Sequence, residues 1–156
     1  MNVSFVAMLV AAAVASGELP DPAKTPGVAN LVLTTEVLCA KGFSTKRWRL
    51  VTPAMKRAAY AAYGLVNHQG ICVGKRGCEI DHLVPIEVGG ANDPANLWPQ
   101  PFVGTWNASR KDRLENRLHA LVCSGTVSLE DAQHEIATDW ISSFKARIGD
   151  ARARRR

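Results

Sequence analysis

These 156 residues hold no low-complexity stretch and no internal repeat, which leaves room for one domain with one core. No apolar run reaches the roughly 20 residues that a bilayer span needs; the densest, Val3 to Ala15, stops short. No Lys or Arg precedes it, so only the terminal amine supplies positive charge there. Small residues close the run (Ala13, Ala15, Ser16, Gly17), as a signal-peptide cleavage site requires. Residues 1–15 therefore read as a signal peptide, with a buried N-terminal helix as the alternative. Glu18-Leu-Pro-Asp-Pro reads as a flexible start, and 16–36 as a linker. A secreted or periplasmic protein is expected, with no transmembrane segment in the mature chain.

There is also no Cys-x-x-Cys pair among Cys39, Cys72, Cys78 and Cys123. Structural zinc sites prefer such tight ligand spacing, so the reading turns to disulfides. Four cysteines in a short exported chain suggest two bonds, with three connectivities open.

Acid is missing from one long stretch. Lys41, Lys46, Arg47, Arg49, Lys56 and Arg57 occur with no Asp or Glu between them, interleaved with Phe43, Trp48, Tyr60 and Tyr63. Cations beside aromatics can contact phosphates and stack on bases, although a solvated face beside core aromatics has the same pattern. The formal net charge of +5 resides in the last twelve residues; Ala151-Arg-Ala-Arg-Arg-Arg ends the chain. Residues 147–156 read as a disordered basic tail that attracts polyanions nonspecifically.

Among the segments that are present, Val28 to Leu38 is apolar but of ambiguous type. Thr52-Pro53 reads as an N-cap followed by proline at the first helical position, with the helix stopping at Gly64. Glu79 to Val88 alternates as a strand does, with Pro85 and Gly89-Gly90 ending regular pairing. Asn96-Leu-Trp-Pro follows a turn as a second strand. A helix starts near Asn107 or Ala108, with Leu114, Leu118, Leu121 and Val122 on one face, and Ser128 caps a last helix carrying Ile136, Trp140 and Phe144. His119 and His134 read as exposed helix residues, and His68 as a loop residue.

Strand, turn, strand and helix can fold Asp81, His82, Asn96, Asn107 and Lys111 around one point. Phosphodiester hydrolysis needs an activated water and compensation for charge on the phosphate. His82 suits general-base duty near neutrality. Asp81 and the Asn107 side-chain oxygen are hard donors suited to Mg2+ or Mn2+. Lys111, on the same helix face as Asn107, is placed to touch a phosphate.

The strings Glu79-Ile-Asp-His-Leu-Val-Pro-Ile-Glu-Val-Gly-Gly, Asn96-Leu-Trp-Pro and Asn107-Ala-Ser-Arg-Lys-Asp resemble the HNH (ββα-metal) endonuclease family. A longer similarity, to small exported bacterial HNH proteins, takes in Leu38-Cys-Ala-Lys-Gly-Phe, Leu121-Val-Cys-Ser-Gly and Asp139-Trp140. The resemblance implies an α+β fold: a short two-stranded hairpin packed on a helix, with flanking helices, over residues 37–146. It implies hydrolysis of DNA or RNA with one divalent metal, His82 as general base, Asp81 and Asn107 as metal ligands, and Asn96 holding the loop that orients His82. A non-catalytic module that docks nucleic acid or protein on the same scaffold is the alternative. The resemblance also favours Cys39–Cys123 and Cys72–Cys78 bonds, the second being turned back by the glycines of Val73-Gly-Lys-Arg-Gly77. One demand is awkward: neighbours on a strand point to opposite faces, yet Asp81 and His82 must serve one centre.

Overall fold

The computed structural model describes residues 18–65 and 77–149. The expected signal peptide, His68, Cys72 and Arg152–Arg156 lie outside the described residues. Within them the fold is α+β: helices α1 (Thr35–Leu38) and α2 (Pro53–Ala62), strands β1 (Cys78–His82) and β2 (Leu97–Pro101), then helices α3 (Ala108–Cys123) and α4 (Leu129–Ile148).

Local signals set the helix starts. The Thr52 side chain accepts from Met55 N and Pro53 occupies the first turn of α2. Asn107 accepts from Arg110 N at the head of α3, and Ser128 from Asp131 N at the head of α4. Each such cap contributes about 1 kcal/mol. Helix α4 breaks once, where Asp139 adopts extended backbone (φ −162°). Its carboxylate accepts from Ile141 N and Ser142 N and so caps the second half of the helix.

The two strands pair antiparallel, with Asp81 opposite Trp98 and His82 opposite Leu97. Strand β1 is shorter than the alternation suggested, ending at His82 rather than Val88. Beyond it the chain is held by Leu83 N donating to Asn96 O, and a 3-10 turn runs from Ile86 to Val88. Proline at position 85 has no N–H to continue a ladder. At Gly90 a Cβ would stand 1.7 Å from Val84 O, so no residue with a side chain fits this fold-back.

Each face of the hairpin has its own cover. Ile80 and Leu97 pack with Ala59 of α2, against Met55 and Tyr60. Trp98 faces the other way, into the main core with Leu114 and Leu118 of α3 and Ile136, Trp140 and Phe144 of α4. Fully burying side chains of this size stabilises by roughly 1.5–3 kcal/mol each, so α3 and α4 anchor the hairpin from below.

The segment read as a flexible start and linker is instead packed. Thr25 is buried and its hydroxyl reaches Tyr63 Oη (2.8 Å) and Leu97 O (3.2 Å). Trp140 Nε1 donates to Glu18 O at 3.0 Å, and Leu33 joins Leu38 and Ile86 in a second cluster. Prolines and polar residues gave no periodic signal here; the partners are distant in sequence. The start of the expected tail is ordered too, since Arg147 lies in α4 and pairs with Glu135.

Cys39, just after α1, is bonded to Cys123, the last residue of α3, across 84 positions. Cys78 is not a free thiol; its pairing with Cys72 falls outside the described residues. For a loop of that length the chain-entropy model gives about 4–5 kcal/mol as an upper figure. Replacing Cys39 and Cys123 together by serine is expected to lower the unfolding free energy by about 2–4 kcal/mol in urea titration. An unchanged midpoint would show that the native contacts hold α1 without the bond.

Candidate active site

Asp81 and His82 leave the end of β1 in opposite directions, as strand neighbours do. Asp81 Oδ2 accepts from Lys111 Nζ at 2.8 Å, on the side of α3. The His82 imidazole lies on the other side, where Nε2 is 3.1 Å from Asn92 Oδ1. The two are joined through the backbone: Lys111 Nζ also donates to His82 O at 2.6 Å, so one ammonium ties both residues to α3.

Asn92 fixes more than the ring's position. Its Nδ2 donates to Trp48 O at 2.8 Å, and its Oδ1 accepts from Leu50 N at 3.0 Å. These backbone groups have fixed polarity, so the amide has one orientation. The atom facing the imidazole is therefore an oxygen, and His82 Nε2 must carry the proton and donate. In the neutral ring Nδ1 then keeps its lone pair. Burial pushes the imidazole pKa below its ordinary value, against the hydrogen bond donated to Asn92 and the charge of Asp81; Arg49 and Lys111 add to the lowering. The lowering favours the neutral ring.

Asn96, buried in the 3-10 turn before β2, is the clamp of the loop between the strands. Its Oδ1 accepts from Val84 N (2.9 Å) and Val28 N (3.2 Å). Its Nδ2 donates to Val84 O and Ala91 O, both at 2.9 Å. All four amide bonds are spent on backbone. Asn96 therefore shapes the turn that carries Asn92, and Asn92 orients the ring.

Lys111 departs from expectation. Read as a phosphate contact, it is fully buried, and a third bond at 2.5 Å to Glu115 Oε1 uses its remaining proton. Lys111 shares the buried side of α3 with Leu114 and Leu118, where carboxylates compensate the lost hydration of its ammonium. Burial would lower the ammonium pKa, but Asp81 and Glu115 raise it well above normal. Burial likewise works to raise Asp81, yet Lys111 holds it below the usual carboxylate range. Glu115 is pushed up to about 8, chiefly by burial.

Asn107 is less engaged with the others. Its Oδ1 caps α3 through Arg110 N at 3.3 Å, and its Nδ2 donates to Gly104 O at 3.0 Å. No side-chain bond joins it to Asp81, His82 or Lys111 among the described residues. Two further carboxylates belong to the same field. Glu79 is raised by burial, then by Asp81 and Asp112, and Asp112 by burial, then by Asp81; Arg49 opposes both. His119 is not the exposed residue its helix suggested: Nδ1 lies 2.7 Å from Glu87 O and the ring stacks on Phe43.

A metal can be tested against these donors. No group of three His, Cys, Asp or Glu side chains among the described residues is placed to hold an ion, so a protein-caged zinc does not fit. Mg2+ or Mn2+, which keeps waters and takes one or two carboxylates with substrate phosphate, makes a smaller demand. Asp81 has a second oxygen outside the Lys111 contact, and an amide oxygen such as Asn107 Oδ1 has a second lone pair.

The sequence reading missed Asn92, whose Gly-Gly-Ala-Asn-Asp-Pro setting marks only a turn, and Arg49, which stood as one cation among six. Compared with known proteins, the chain matches no family model, no curated protein and no solved structure.

Proposed function

We propose that this protein is an exported, metal-dependent endonuclease of the HNH (ββα-metal) type that hydrolyses phosphodiester bonds of DNA or RNA. The observation that carries the reading is His82 Nδ1, which has no hydrogen-bond partner among the described residues, on a ring oriented by a locked Asn92 and one residue from the Asp81–Lys111 ion pair. An imidazole fixed in one tautomer, with a lone pair on Nδ1, is what a general base acting on water requires.

In this reading His82 Nδ1 takes the proton of the attacking water while Nε2–H stays on Asn92. Asp81 and Asn107 hold Mg2+ or Mn2+, which when bound offsets charge on the phosphate and the leaving oxygen. Lys111 positions Asp81 and the His82 backbone rather than touching substrate. The exposed cations Lys46, Arg47 and Arg49 beside Trp48 offer the polyanion a first contact, and Trp48 O and Leu50 N connect that segment to the base. The Cys39–Cys123 bond supports a place outside the reducing cytosol, and no described helix is long and apolar enough to cross a membrane.

The deciding experiment incubates purified protein with supercoiled plasmid, and separately with single-stranded RNA, in Mg2+, Mn2+ or EDTA. Nicking that requires the metal is expected. Retention of plasmid in a gel shift without any cutting would instead mean a docking module. Neither cutting nor binding would end the nucleic-acid reading.

A further inference from the structure

We propose that Arg110, Arg113 and Lys145, seated on the rings of Trp106 and Phe144, form a second contact surface for the phosphodiester backbone of a nucleic acid. The inference rests on the nuclease reading and names where the substrate strand is gripped beyond the scissile phosphate.

Two helices converge to make the patch. Arg110 and Arg113 are three apart on α3 and share one face; Lys145 comes from the second half of α4. The Arg110 guanidinium carbon lies 5.0 Å from the Trp106 ring centre and 5.8 Å from that of Phe144. Arg113 stands 5.5 Å over Phe144, and Lys145 Nζ 5.3 Å over Trp106. The rings are themselves held, edge to face at 5.5 Å, with Trp140 at 6.0 Å from Trp106. Phe144 is part of the main core.

Among the described residues these three cations lie over aromatic rings with no carboxylate within 4 Å. Elsewhere Lys24, Lys111 and Arg147 each face a carboxylate within 4 Å. None of the three patch cations does among the described residues, and Arg110 Nη1 is buried without a hydrogen-bond partner. Two sit over one ring, within about a Debye length of each other, so they act as one positive field. Their position compounds this. Arg110 stands in the first turn of α3, which carries no acid, where the helix dipole is itself positive and disfavours cations by a few tenths of a kcal/mol or more. An anion placed here relieves the mutual repulsion and completes the helix terminus at once.

The aromatic bed points to a recurrent anion rather than a lone one. Guanidinium groups already laid on rings lose little side-chain freedom when they bind. The two guanidiniums and the Lys145 ammonium, spread over two rings, suit successive phosphates of a strand, with the half-buried Trp106 beside them. The patch is also close to the chemistry. Arg110 precedes Lys111, so it lies one helical step, about 100°, around α3 from the residue that holds Asp81.

The test uses the full chain carrying His82→Ala, with a fluorescent 20-base-pair duplex in EDTA, and follows the dissociation constant across a NaCl series. Counterion release gives a slope of about −0.9 per phosphate contacted. Replacing Arg110, Arg113 and Lys145 together by Gln is expected to flatten the slope by about 2–3 and weaken binding at least about tenfold at 0.1 M salt. The charge-preserving Arg110→Lys/Arg113→Lys pair should keep the slope, which separates charge from any loss of packing seen in the thermal transition. Arg117→Gln, elsewhere on α3, should leave it unchanged. A triple variant with the parent's slope overturns the patch and leaves the nuclease reading standing if plasmid is still cut. A duplex that does not bind overturns the patch, while the plasmid and RNA digests decide the nuclease reading separately. A triple variant that loses polyglutamate binding but keeps duplex binding assigns the surface to an acidic protein instead, and overturns the proposal.

Discussion

His82→Ala is expected to lower kcat on plasmid by about 10²–10⁴, the usual contribution of a positioned general base, while the thermal transition and Mn2+ affinity stay near wild type. The imidazole makes one side-chain hydrogen bond, to Asn92 Oδ1. Its removal leaves the Lys111 bond to His82 O in place, because that bond is to the backbone. Asp81→Ala behaves differently: it removes a carboxylate from the donor set and strands Lys111. Its loss of rate should come with weaker Mn2+ binding, read by the paramagnetic signal of free Mn2+. Asn107→Ala should weaken the metal as well, and cost about 1 kcal/mol of helix cap besides. Near-wild-type cleavage by His82→Ala would take the residue out of the mechanism. Equal Mn2+ affinity in all three variants would remove Asp81 and Asn107 as ligands.

The largest expected effect on stability is at Lys111. Lys111→Met keeps the stem in the core but leaves the Asp81 and Glu115 carboxylates buried without their cation. Breaking a buried pair in this way costs about 3–5 kcal/mol. The deficit should depend on pH. In the wild type Asp81 is held low by Lys111, so its contribution is present above the ordinary aspartate range and fades as pH falls through the lowered value. Glu115 is opposite in sign: raised to about 8 by burial, it favours folding most below the ordinary glutamate pKa. That advantage is lost as pH rises from there through about 8. Without Lys111 both carboxyls prefer protonation, so the cost of the substitution should be greatest near pH 7.5 and shrink toward pH 4.5. Glu115→Gln, which keeps an acceptor for Lys111 and cannot ionise, should flatten the decline of wild-type stability between pH 5 and pH 8.5. Urea titrations at the two ends of the range measure both effects. A Lys111→Met deficit of the same size at pH 4.5 and 7.5 would show that packing, not charge, is what the lysine contributes.

The sequence alone determined what is local. Thr52-Pro53, Asn107 and Ser128 announced their helices because a cap and its N–H partner lie within three residues. Leu114, Leu118, Ile136, Trp140 and Phe144 announced the core because helical period is written in spacing. Asp81, His82 and Asn96 stood out because the motif holding them is short, and Asn96 spends its amide on backbone groups of the loop between the strands and of Val28. What only the tertiary structure decided is non-local. Asn92 meets His82 through backbone groups 42 and 44 positions away. Lys111 turned inward because a carboxylate 30 residues earlier lies beneath its helix. Residues 18–36 carry no periodic pattern, so nothing in them foretold that Thr25 would be sealed against Leu97. The cations on Trp106 and Phe144 gather from two helices. Capping and periodicity are properties of a few neighbouring residues, whereas burial, charge compensation and ring orientation belong to surfaces that exist only once distant segments have packed.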